Sequence, residues 1–127
     1  MSEQSGPADE AWPADKLAAL RLGQRLVAEV EAERAGRRAF IDIWPRTTPA
    51  DTEAGNQGWK RSDNARTFTI EHWDYEADLI DGYDYDIGAV LIKATTAAGE
   101  PELLEALGNW GVQPEQFVYP WHSDDPK

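Results

Sequence analysis

The chain has 127 residues, with 24 acidic side chains against 12 basic ones and a formal net charge of −12, a length that suits one domain and hardly two. Hydrophobic residues make up 41% and charged residues 28%, near globular averages, which excludes collagen-like, coiled-coil and wholly disordered chains. No apolar run approaches the roughly 20 residues of a membrane span and no leader pattern opens the chain, so a cytoplasmic protein is expected; cysteine is absent, which removes disulfides, thiolate nucleophiles and cysteine zinc sites.

Residues 1–12 are mostly small and polar and read as a flexible N-terminus. From Pro13 to Gly36 helix formers dominate, and Leu17, Leu20, Leu22, Gly23, Leu26, Val27 and Val30 fall on one broad helical arc with Arg21, Arg25 and Glu29 opposite. A helix is predicted over 13–36, with Arg25 and Glu29 paired one turn apart and Gly36 as its stop. Arg38 to Trp44 is rich in β-branched and aromatic residues and ends at Pro45. It reads as a strand with Phe40, Asp42 and Trp44 on one face and Ile41 and Ile43 on the other.

Residues 45–65 are polar, and 21 residues without clear structure is long for a compact domain. Within them, Thr48 and Pro49 fit a helix start, as cap and first residue. Arg66 to Trp73 alternates, Phe68, Ile70 and His72 opposing Thr67, Thr69, Glu71 and Trp73, the pattern of a half-buried strand. Residues 74–86 form an acidic, tyrosine-bearing connection with a turn signal at Asp81-Gly82. Ile87 to Lys93 is apolar on both faces, as a central strand would be. Glu100-Pro101 opens a short helix carrying Leu103, Leu104 and Leu107 and stopped by Gly108, and Gln116 to Tyr119 reads as a last strand that Pro120 ends or confines to an edge. The expectation is an α+β two-layer sandwich in the order α-β-β-β-α-β: a mainly antiparallel four-stranded sheet with helices on one face. It would form a single domain over 13–122, followed by a flexible C-terminus at 123–127.

Charge is distributed unevenly. Residues 16–38 carry six bases and three acids, whereas residues 71–127 carry 13 acids and two bases. Seven of the sixteen residues from Glu71 to Asp86 are acids, with Trp73, Tyr75, Tyr83 and Tyr85 between them. If the flanking strands pair as a hairpin, this stretch protrudes. Carboxylates there steer a basic partner and raise its on-rate, and tyrosine and tryptophan act as anchors. The candidate partner-binding residues are therefore Trp73, Asp74, Tyr75, Glu76, Asp78, Asp81, Tyr83, Asp84, Tyr85 and Asp86.

Other chemistry fits less well. A calcium loop begun at Asp74 puts Leu79 where glycine is needed and Tyr85 where a bidentate glutamate is needed. The two histidines, His72 and His122, share no ligand spacing; His72 reads as a partly buried ring on the Phe68/Ile70 face and His122 as exposed. No nucleophile elbow surrounds Ser62 or Ser123, and Gly55 to Gly58 lacks phosphate-loop spacing. No cofactor, metal or catalytic residue is assigned. Six tryptophans pack a small core or, in the case of Trp44 and Trp73 with Tyr119 and Trp121, frame a cleft.

The residues thus point to a non-enzymatic acidic protein that masks a basic partner surface, in the manner of a toxin-immunity or inhibitor protein, with a nuclease-type toxin as one such partner. Direct nucleic-acid and membrane binding are disfavoured by the charge. Two alternatives stand beside it: a small-ligand-binding or hydrolytic domain using the Trp44/Trp73 face with His72, and a self-associating module or homodimer in which the basic 16–38 segment meets the acidic connection of a second copy.

Overall fold

The computed structural model describes residues 11–32, 35–76 and 90–122. Helix α1 spans Ala14–Arg21 and stops well short of Gly36. Gly23 sits at φ +86°, a conformation that residues bearing a Cβ rarely adopt. There the Gly23 N–H donates to Leu20 O at 3.0 Å and the Gln24 N–H to Ala19 O at 2.9 Å, the paired bonds of a Schellman end. The second part of the segment predicted as helix is instead strand β1, Leu26–Val30. Its broad apolar arc has a simple origin: Leu26, Val27 and Ala28 are all buried, so two strand faces together imitate one wide helix face.

Strand β2 (Arg37–Pro45), helix α2 (Pro49–Asn56), strands β3 (Thr67–Glu76) and β4 (Val90–Ala98) and helix α3 (Glu100–Asn109) follow. The sheet order is β1-β2-β3-β4, and each neighbouring pair is antiparallel. The α+β class and the four-stranded antiparallel sheet are as predicted, but some of the contributing segments differ. The strand expected at the centre from Ile87 to Lys93 is displaced to the edge as β4, because β1 supplies the fourth strand and β2 and β3 take the middle. Gln116 to Tyr119 contributes only a bridge, with Val27 and Val118 exchanging N–H···O bonds of 3.0 and 2.8 Å. Short 3₁₀ turns at Pro114–Gln116 and Pro120–His122 leave this segment no room to extend. Helix α2 starts where the sequence places it: Thr48 is the cap, Pro49 lies in the first turn, and the Thr48 N–H donates to Asp51 Oδ2 at 2.7 Å.

Pleating divides the buried side chains between the two faces of the sheet. Leu26, Ala28, Ile41, Ile43, Phe68, Ile70 and Ala97 join Leu17 and Leu20 of α1 and Leu103 and Leu107 of α3 in the main core. Trp12, within the stretch expected to be a flexible end, is buried there too, its ring 5.7 Å from Phe117. On the opposite face Val27, Phe40 and Tyr75 form a second cluster, with Trp73 and Val118 against it. Each large apolar side chain so buried stabilises the fold by about 1.5–3 kcal/mol. Among the described residues no helix is long and apolar enough to cross a membrane.

Candidate functional site

Among the described residues, six arginines are held by carboxylates. Arg21 of α1 forks onto Glu100 of α3, with Nε–Oε2 at 2.8 Å and Nη2–Oε1 at 2.9 Å. Arg25 donates to Asp42 at 2.6 Å and lies 4.7 Å from the Trp44 ring. Arg37 meets Asp74 at 2.6 Å, Arg38 meets Glu29 at 2.8 Å, Arg61 meets Asp63 at 2.8 Å, and Arg66 meets Asp51 at 2.6 Å. The expected Arg25–Glu29 pair is replaced by two of these contacts, since neither residue is helical: Arg25 reaches across to β2, and Glu29 faces Arg38 there. The six pairs use six of the 24 acids and six of the 12 bases, so acids outnumber bases three to one in the rest of the sequence.

Arg66 is the most enclosed of the six, its side chain 0% exposed. Nε donates to Arg21 O at 2.8 Å, Nη1 to Arg46 O at 3.0 Å and Asp51 Oδ2 at 2.8 Å, and Nη2 to Asp51 Oδ1 at 2.6 Å and Arg61 O at 3.0 Å. A guanidinium carries five N–H donors, and every one is used. One side chain thus ties the end of α1, the end of β2, the first turn of α2 and the loop beyond it, and this orders the polar 45–65 stretch. The Arg66 hydrogen bonds hold the Asp51 carboxyl far below the usual carboxylate range, and Asp51 in turn raises Arg66. Asp63 is lowered chiefly by the Ala65 N–H at 2.8 Å.

Arg46, Thr47, Thr48, Asp63, Ala65, Arg66 and Thr67 line a pocket of about 300 Å³ beside this cluster. The cluster ties the ends of α1 and β2 to α2 and the loop beyond it. Sequence reasoning missed it because its members stand up to 45 residues apart, and a charged residue at a strand start carries no signal of its partners.

The predicted partner-binding residues divide by position. Strands β3 and β4 pair with Asp74 opposite Val90, so the acidic connection leaves and rejoins the sheet at one end, as the hairpin expectation requires. Trp73 is half-buried, and its Nε1 donates to Glu71 at 3.0 Å. Strand β3 runs on to Glu76, which corrects the expectation that the connection begins at residue 74. Asp74 and Tyr75 are strand residues buried on opposite faces, Asp74 against Arg37 and Tyr75 with its ring 6.0 Å from Phe40. Glu76 is exposed, with Arg37 Nη1 3.9 Å from its carboxylate. Asp78, Asp81, Tyr83, Asp84, Tyr85 and Asp86 lie outside the described residues.

His72 is buried on the face of Phe68 and Ile70, its ring 6.5 Å from Trp110. Trp44 and Trp73 share the other face, since Phe40 is the register partner of Trp73 and Ile41 that of His72. A strand's two-residue period therefore separates His72 from any Trp44/Trp73 cleft. Tyr119 packs against the main core and stacks on Trp121 at 4.9 Å, so these two rings frame nothing with Trp44 and Trp73. The Tyr119 hydroxyl donates to Asp15 at 3.0 Å, which lowers that carboxyl, and Lys16 Nζ lies 5.0 Å from the tyrosine ring. Trp121 is 69% exposed and His122 is exposed as expected. Among the described residues no three His, Asp or Glu side chains converge as metal ligands.

Comparison with family models, with curated proteins and with solved structures finds no match to this chain.

Proposed function

We propose that this protein is a non-enzymatic acidic binding protein of the cytoplasm that masks a basic surface of a partner protein, in the manner of a toxin-immunity or inhibitor protein. The observation that carries this reading is the use of the arginines. Six of them neutralise carboxylates inside the fold, while the 13 residues joining β3 to β4 carry four acids and no base. Four of the 18 acids outside these pairs thereby stand together in the short connection between two paired strands.

Such a field accelerates encounter with a cationic surface and opposes nucleic acid and anionic lipid. Tyr83 and Tyr85, interleaved with Asp84 and Asp86, supply rigid area for the contact once it forms. A basic nuclease-type toxin is one partner of this chemistry, and occlusion of its cationic groups is the mechanism.

The test is a pull-down from the native host at low and high salt, using the wild-type protein and the variant Asp81→Lys/Asp84→Lys/Asp86→Lys. A basic protein should be retained at low salt, released as screening increases, and lost by the variant while its circular dichroism stays unchanged. Equal retention by the folded variant overturns the reading.

A further inference from the structure

Backbone hydrogen bonds at the end of β4 reveal which of its residues face away from β3. The Gly99 N–H donates to Arg66 O at 3.1 Å, toward the β3 side, whereas the Ala98 N–H turns to Glu102 Oε1 at 3.2 Å. Backbone direction alternates along an antiparallel strand. Thr95 and Ala97 therefore address β3, while Ala94 and Thr96 direct their N–H and C=O groups outward.

Among the described residues no strand lies beyond β4. Natural sheets usually blunt such edges with proline, short strands or charge. This one is nine residues long, has no proline and carries one charge, Lys93, whose ammonium is drawn to within 4.7 Å of the Trp110 ring. Val90 and Leu91 are 40% and 44% exposed. Two acids stand nearby: exposed Glu76 at the end of neighbouring β3, also 3.9 Å from Arg37 of β2, and Glu102 of α3 at Ala98.

We propose that β4 accepts an extended segment of a basic protein as a fifth strand, main-chain bonds to Ala94 and Thr96 holding it and its lysines or arginines meeting Glu76 and Glu102. Strand addition of this kind draws affinity from the ladder and specificity from the side chains. A second copy of the chain is the poorer occupant, because each brings a charge of −12. The proposal rests on the reading of the protein as a binder of basic surfaces and names the surface used.

The probe is a nonapeptide of alternating lysine and valine, titrated into isotope-labelled protein. Amide shifts should change at Ala94 and Thr96. Thr96→Pro removes an N–H that β3 does not use, so the variant should keep its melting transition and lose about tenfold or more in affinity. Methylating alternate amides of the peptide should abolish binding in one of the two phases, a measurement on wild-type protein that decides the matter if Thr96→Pro proves unstable. Full binding by folded Thr96→Pro, or by both methylated peptides, overturns strand addition while leaving the electrostatic reading intact. Equal affinity for a peptide with glutamate in place of lysine overturns the electrostatic reading itself. A wild-type dimer in sedimentation that Thr96→Pro dissociates gives the edge to a second copy and overturns the occupant.

Discussion

Arg66 and Asp51 meet through two parallel hydrogen bonds of 2.6 and 2.8 Å, although 15 residues separate them in sequence. The guanidinium is wholly enclosed, so its removal does more than break an ion pair. Arg66→Met would leave Asp51 with only the Arg61 guanidinium, 3.4 Å from Oδ1, and the carbonyls of Arg21, Arg46 and Arg61 without this donor. Loss of one partner of a buried pair costs about 3–5 kcal/mol, and urea unfolding should register a loss of that size. Arg66→Lys keeps the charge but not the fork and should recover only a small part. An unchanged urea midpoint in Arg66→Met would contradict the role assigned to this residue.

Acid should weaken the fold through the same pair. Arg66 depresses the folded-state pKa of Asp51 relative to about 3.9 in the unfolded chain. A depressed carboxyl contributes stability that is fully present above the unfolded pKa and lost as pH falls below it. Asp63, held down chiefly by the Ala65 N–H, acts in the same direction. The contribution of these groups should be level from pH 7 to about 5 and decline progressively below about 4. Asp51→Asn should lower the plateau and flatten the acid limb; identical limbs in the two proteins would rule this account out.

Arg21 and Glu100 lock α1 to α3 over 79 residues of sequence, with the Glu100 side chain only 7% exposed. A double-mutant cycle with Arg21→Met and Glu100→Gln should yield a coupling of about 1–3 kcal/mol. Coupling within a few tenths of zero would show that the fork is no stronger than a surface pair.

Phe40 and Phe68 point to opposite faces of the sheet, and both are fully buried. Phe40→Ala and Phe68→Ala should therefore each cost about 3–5 kcal/mol. A much smaller loss for Phe40→Ala in thermal or urea unfolding would mean that the second cluster is loosely packed.

Much of the architecture was readable wherever the local signal and the tertiary environment agree. The alternation from Thr67 to Trp73, the apolar run ended by Pro45, the Thr48–Pro49 start of α2 and the leucines of α3 all appear as predicted. Residues 26–30 misled because burial on both faces of β1 erases the period of two, and Gly23, one of the residues on the helical arc, is where α1 ends. At the candidate site, the antiparallel pairing of β3 and β4 was legible from the strand patterns that flank the acidic connection. The burial of Asp74 and Tyr75 was not, since nothing near them in sequence announces that β3 continues or that Arg37 and Phe40 stand beside it.

Composition and periodicity by themselves determined the α+β class, the antiparallel hairpin and the anionic character of the chain, because these depend on residue type and on neighbours within a few positions. Only the tertiary structure decided which carboxylate each arginine meets, that Arg66 organises the polar loop, and that β4 lies at an edge. Ion pairing and strand order across tens of residues are set by how the closed chain brings distant groups within 3 Å or so of one another, and that proximity leaves no trace in local sequence.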